Sequence, residues 1–473
     1  MLRFLALYSM FLSAFVLFFF IAQNTYELGY IHLNILFYAE KALLATEGEP
    51  PRLENIGFVY PPLAFLPFLL IREYLFVSPL VSALTISLFF SFLLKRCQKP
   101  VYAILPLILL NPLILFLAVY RFEVLTFYLL LTLSVIMILL HMESGYSLYL
   151  FVSGFLLGLC FFLDFRSLFL VPFFALALYM STGEKNVSYR LALMIVKLSP
   201  IMFFAFAWLY LNWIFTGDPL TFIRSPYSFF RSEPIDPSLL SVRGSLFGSL
   251  EYTTLKLITY LPITLPYFLL LFSLKRYRLL YLSPAYLVYI SPILLVLFSV
   301  YFSAFFPAYY YTVLFLLFAI SFQASFGVKI SKSVILAFII SLASSWILPL
   351  TSKEENEKNF LRFLLTGKIT GNLEEYRKIA RVLREINCER ILIDDAGGFP
   401  IIVFTGKPKM FYLPYMYEYY TVLSYPQAFA NCIVVDKMSP TDKVRMRFSK
   451  ANMGFLEGYS LIYEGKIYNV FGR

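Results

Sequence analysis

About eleven stretches of this chain are apolar for close to the length that a bilayer core requires, and that succession leaves a soluble fold no way to bury them. The runs cover residues 2–23, 77–94, 101–119, 124–140, 148–163, 167–180, 191–213, 252–274, 279–302, 309–324 and 334–350. With 60% hydrophobic residues, 14% charged and a mean hydropathy of +0.76, the composition agrees with a polytopic α-helical membrane protein. The first run lacks the short apolar core and small-residue cleavage site of a secretory signal, so it reads as a retained helix.

Charge sets the expected orientation. Arg3, the Lys95, Arg96 and Lys99 group, Lys185 with Arg190, the Lys275, Arg276 and Arg278 group, and Lys329 with Lys332 all fall at alternate connections. Those connections are expected to be cytoplasmic, with the N-terminus. The net charge of +11 is then a matter of topology and anionic lipid, and no nucleic acid partner is expected. Two histidines and four cysteines without C-x-x-C spacing exclude a Cys/His zinc site.

The expected division is a transmembrane domain at 1–350, with outer loops at 24–62 and 213–250, and a small extracytoplasmic α/β domain at 351–473. In the second part, 372–387 has an asparagine cap and apolar residues at helical spacing. The β-branched runs at 390–394 and 432–436 read as parallel strands, and 461–470 alternates about a Glu-Gly-Lys turn as a hairpin. Cys388 and Cys432 can pair if those strands are neighbours.

Polar residues gather at the expected outer face. The first loop holds Glu27, Glu40, Glu54 and the Tyr60-Pro61-Pro62-Leu63 step, and residues 31–46 form an amphipathic helix too short and polar to span, expected in the interface plane. Glu27, Asn34 and Lys41 share a face if that helix extends back far enough. Arg121 with Glu123, and Asp164 with Arg166, stand at two outer turns, where charge at membrane depth costs about 2.5 to 3.5 kcal/mol per residue. The readings are local ion pairing at the interface, or convergence of these turns with the first loop on one pocket. Arg224, among Tyr227, Phe229 and Phe230, suits a phosphate or sugar, or else an interfacial aromatic belt.

The order of parts resembles the GT-C superfamily of integral-membrane glycosyltransferases, of the mannosyltransferase and aminoarabinose transferase kind. The resemblance rests on Tyr38-Ala39-Glu40, Gly48-Glu49-Pro50 and Phe58-Val59-Tyr60-Pro61-Pro62-Leu63. It continues through Asn111-Pro112, Tyr120-Arg121-Phe122-Glu123 and Asn212-Trp213-Ile214-Phe215-Thr216-Gly217-Asp218-Pro219-Leu220. It implies transfer of a sugar from a polyprenyl-phosphate-linked donor to a lipid, glycan or protein acceptor at the extracytoplasmic membrane face. The family's first-loop aspartate aligns with Asn34 or His32; Glu27 and Glu54 are the neighbouring carboxylates.

In this scheme Glu27, or His32, is the base. Glu123 assists through a divalent cation (Mg or Mn) or a hydrogen bond, and Arg121, Arg166 and Arg224 hold the phosphate, with Glu54, Tyr60 and Asp164 beside the substrate. Two other readings remain open at this point: a non-catalytic lipid- or glycan-binding relative, and a transporter.

Overall fold

The computed structural model describes every residue except 1, 96–106, 182–185, 226, 227, 229, 232–237, 274–282, 327–330 and 353. Arg96, Lys99, Lys185, Tyr227, Phe229, Lys275, Arg276, Arg278 and Lys329 lie outside the described residues, as do parts of the runs at 101–119 and 279–302.

The protein is a membrane-embedded helical protein carrying a small mixed sheet near its C-terminus, but its described residues do not form eleven spans. Among the described residues, five helices are long and apolar enough to cross: Leu7–Glu27, Tyr74–Leu94, Phe122–Ser144, Val187–Thr216 and Lys332–Thr351. A sixth counts if Leu246–Thr259 and Leu261–Phe272, bent by 99° at Tyr260, form one crossing. Most other runs are helical but short. Ser147–Leu163 has 17 residues, a rise of about 25 Å against a core of about 30 Å.

Local chemistry explains the breaks. Asn111 accepts the N–H of Leu113 at 2.9 Å and Pro112 follows, so a helix must begin there, at Pro112–Tyr120, within the predicted run. The run at 167–180 opens as a tighter 3-10 turn, Phe165–Leu170, before Val171–Ser181. Pro292 likewise starts Ser291–Ser303.

Contacts divide the chain into two compact units. The first comprises 1–21, 58–64 and 78–368; the second comprises 22–57, 65–77 and 369–473. The contacts thus part after Lys368 rather than at 350, and most of the first loop belongs with the C-terminal segment.

In the first unit, Phe122–Ser144 and Ser147–Leu163 form an antiparallel hairpin about Gly145, whose φ of 76° suits glycine. The Ser134 and Ser153 hydroxyls meet at 2.8 Å, and Cys160 Sγ approaches the Phe127 carbonyl at 3.6 Å. Val187–Thr216 closes on this hairpin at Gly154 and Gly158, where a Cβ would run into the Lys197 carbonyl and the Phe204 ring. Small residues four apart allow such close helix approach in membranes.

The second unit holds a five-stranded sheet of β1 (Ile391–Leu392), β2 (Phe411–Tyr412), β3 (Cys432–Asp436), β4 (Ser460–Glu464) and β5 (Tyr468–Gly472), in the order β2-β1-β3-β5-β4. β1 pairs in parallel with both β2 and β3, as the crossover pattern predicts, and β4 and β5 form the predicted antiparallel hairpin. Cys388 and Cys432 are joined by a disulfide.

Helix Glu374–Glu385 buries Tyr376, Ile379, Ala380 and Leu383, the predicted apolar face. Asn372 does not cap it. Its side chain is instead bonded to the backbone of Ile31, and Leu373 takes the cap position without a side-chain bond.

Candidate functional site

α1 (Leu2–Glu27) ends at Glu27, and the chain then turns through Gly29, φ 83°, before α2 (Leu33–Glu47). Glu27 is therefore not on the helix of Asn34 and Lys41, and the seven-residue face is interrupted. His32 is the N-cap of α2, its Nδ1 accepting the Asn34 N–H at 3.2 Å, so the imidazole is engaged in holding the helix start. Asn34 sits half-buried in the first turn. α2 is not a lone interfacial helix: Ile35, Leu36, Ala42 and Leu44 are buried, and it packs on helix Asp395–Thr405.

Glu27 itself opens on a groove of about 550 Å³. Gly29 and Gly371 lie at its floor, and Arg377, Lys378 and Arg381 line it from the polar face of Glu374–Glu385. Glu27 accepts a hydrogen bond from Gln23 Nε2 at 2.7 Å, which orients the carboxylate from one turn below. Arg377 donates to the Tyr26 carbonyl at 3.3 Å and lies over the Tyr26 ring at 4.2 Å, while Lys378 and Arg381 are exposed. Glu374 adds a second carboxylate to the rim. An anionic group entering this groove meets three cations beside one positioned carboxylate.

The close approach at the floor depends on glycine. The Gly29 carbonyl accepts the N–H groups of Asn372 and Leu373 at 2.9 and 3.1 Å, and a Cβ on Gly371 would stand 3.1 Å from that oxygen. Sequence reasoning missed the three cations, although their signal was present: positions 377, 378 and 381 fall together on the polar side of a helix whose apolar side was recognised.

A second polar cluster surrounds Glu40, which is fully buried on α2. Lys41 Nζ is 3.3 Å from its Oε2 and 2.6 Å from Asp395 Oδ2. Burial pushes the Glu40 carboxyl up to about 8, partly opposed by Lys41. Nearby in the sheet, Asp394 caps Asp395–Thr405 through the Ala396 N–H, and its other oxygen accepts the Lys443 N–H at 2.9 Å. Burial raises the Asp394 carboxyl and takes Asp442 up to about 7. Asp394, which follows β1, and Asp442, in the loop beyond β3, serve as backbone caps.

The remaining candidates divide by unit. Glu54 is exposed on a 3-10 turn of the second unit. In the first unit, Arg121 Nε binds Glu123 Oε1 at 2.5 Å, and Glu123 is buried. Arg166 is buried, its Nη2 2.5 Å from Asp164 Oδ2 and 2.5 Å from the Tyr310 hydroxyl, which also bonds Asp164. Its guanidinium lies 4.0 Å from the centre of the Phe305 ring. Continuing the register of the Ser134 and Ser153 contact places Glu123 level with Asp164, so the two turns share one end of the hairpin.

Arg224 pairs with Asp218 at 3.3 Å on the surface. Tyr60 is half-buried, close to the stack of Phe58 on Phe215 at 4.7 Å. Arg121 occupies one oxygen of Glu123, and no group of three metal-ligating side chains gathers among the described residues.

No protein-family model, curated protein or solved structure matches this chain.

Proposed function

We propose that the chain is a membrane glycosyltransferase that takes its sugar from a polyprenyl-phosphate-linked donor. The observation that carries this reading is the groove at the end of the first apolar span, where Glu27 faces Arg377, Lys378 and Arg381. In the proposed step an acceptor hydroxyl oxygen bonds to the anomeric carbon as the bond from that carbon to the phosphate oxygen breaks. Glu27 takes the hydroxyl proton, and the cations hold the departing phosphate with its electron pair. A lipid chain can remain in the membrane while its phosphate reaches the groove, because Glu27 is the last residue of the span.

The disulfide supports an extracytoplasmic position for the C-terminal segment, since such bonds persist in oxidising compartments. Sugar, acceptor class and orientation all belong to this proposal. The test is transfer of radiolabelled sugar from short-chain polyprenyl-phosphate sugars to a membrane extract. Wild type is expected to transfer, Glu27→Gln to lose at least a hundredfold in rate, and Arg377→Gln with Arg381→Gln to weaken donor binding. Full activity of Glu27→Gln removes that base. Donor binding without transfer by wild type assigns the groove to a non-catalytic lipid-phosphate binder.

A further inference from the structure

A cavity of about 590 Å³ lies within the second unit and is lined by none of the residues that the proposed transfer uses. Three segments form it: the turn of Ser424, Tyr425 and Gln427, the turn from Arg447 to Ala451, and the turn of Phe455 to Glu457. Its volume falls in the range of small-ligand sites, roughly 300 to 1,000 Å³. We propose that it binds an acidic saccharide.

The walls are held in place by hydrogen bonds, two of them made by lining side chains. Ser424 Oγ donates to the Tyr420 carbonyl at 2.8 Å. Gln427 Nε2 donates to the Glu457 carbonyl at 3.1 Å, and Arg473 Nη1 donates to the Gln427 carbonyl at 2.6 Å. The Tyr459 hydroxyl donates to the Ala430 carbonyl at 2.7 Å, joining two of the segments behind the cavity. Ala451 and Leu456 are buried in the apolar core with β3 and β5, and Phe448 packs against them. The floor is therefore part of the folded core rather than a loose loop.

The rim carries the chemistry. Tyr425 is 69% exposed and Phe455 59%, an unusual exposure for large rings beside a concavity. A ring face of this kind packs on the C–H face of a pyranose. The Ser449 hydroxyl, with the acceptor oxygens of Ser424 and Gln427, lines the same space and suits sugar hydroxyls, which an apolar peptide anchor would leave unused. Arg447 and Lys450 outnumber Glu457, so the cavity favours a ligand bearing a carboxylate or sulfate.

The inference does not rest on the transfer reading: the two sites share no residue, and a binding measurement decides this one without any donor. The probe is tetragalacturonate, with maltotetraose as the neutral comparison, titrated against the full chain in detergent by calorimetry and saturation-transfer NMR. Saturable binding of the acidic probe is expected, weakened about tenfold in Tyr425→Ala and in Arg447→Gln. Because both side chains are exposed, unchanged melting of each variant is the control for folding. Absence of saturable binding overturns the proposal, as does undiminished binding in both variants. Equal affinity for maltotetraose overturns the requirement for an acidic group.

Discussion

Asn372 spends both ends of its side-chain amide on one residue, Ile31: Nδ2 donates to the Ile31 carbonyl at 2.8 Å, and Oδ1 accepts the Ile31 N–H at 3.2 Å. The two residues are 341 positions apart, and the clamp lies beside the groove floor at Gly29 and Gly371. It fixes the turn that presents Glu27 against the start of the helix bearing Arg377.

Asn372→Ala leaves that backbone pair without its partner and is expected to destabilise the second unit by about 1 to 3 kcal/mol. Thermal melting followed by fluorescence checks this. An unchanged midpoint would show that water replaces the amide at no loss.

Glu40 makes stability depend on pH in the direction opposite to a salt-bridged carboxylate. Its folded value of about 8 lies above the ordinary 4.5, so the unfolded chain releases this proton first. Stability is unpenalised below about pH 4.5 and falls as pH rises toward 8, by roughly several kcal/mol at full extent. Asp442, up to about 7, acts in the same direction. Glu40→Gln is expected to flatten the profile and to exceed wild type at pH 8.5, since Lys41 keeps Asp395. Denaturant titrations across this range measure it.

Arg166 is buried with Asp164 as its carboxylate partner. Asp164→Asn is expected to destabilise the helical unit by about 3 to 5 kcal/mol, because a buried cation loses its counter-charge. Replacing both, as Asp164→Leu with Arg166→Met, should recover much of that loss in a detergent melt. If the double variant is no better than the single, the pair has a role other than charge balance.

Gly154→Leu and Gly158→Leu force side-chain atoms into the Lys197 carbonyl and the Phe204 ring. Each is expected to lower the melting point through about 1 to 3 kcal/mol of overpacking or more, and Gly154 should be the more sensitive because backbone cannot rotate away. Size-exclusion traces in detergent would show the loss as aggregation.

Reduction of the Cys388 to Cys432 disulfide, which closes a separation of 44 residues, is expected to destabilise the second unit by about 2 to 4 kcal/mol. Melting with and without reductant measures this. Equal midpoints would mean that strand pairing alone holds β1 beside β3.

Much of this was legible in the chain. The apolar runs marked the helices, and tertiary packing had little to add to Tyr74–Leu94 or Val187–Thr216, where hydrophobic length alone decides. The parallel strands and the final hairpin also followed from local pattern, whereas the pairing of Cys388 with Cys432 stood only as a condition on those strands being neighbours. The span number was misread because hydropathy does not register where Asn111 caps a helix or where the chain bends at Tyr260.

Apolar length and periodicity, which act between near neighbours in sequence, determined that this chain enters a membrane and carries a small sheet near its C-terminus. The tertiary structure alone decided that most of the first loop packs with residues after Lys368, that Asn372 serves Ile31 instead of its own helix, and that Glu27 shares a groove with Arg377, Lys378 and Arg381. Those partners are more than 300 residues away. No local propensity carries such a contact, because it exists only when burial and backbone hydrogen bonding bring distant segments together.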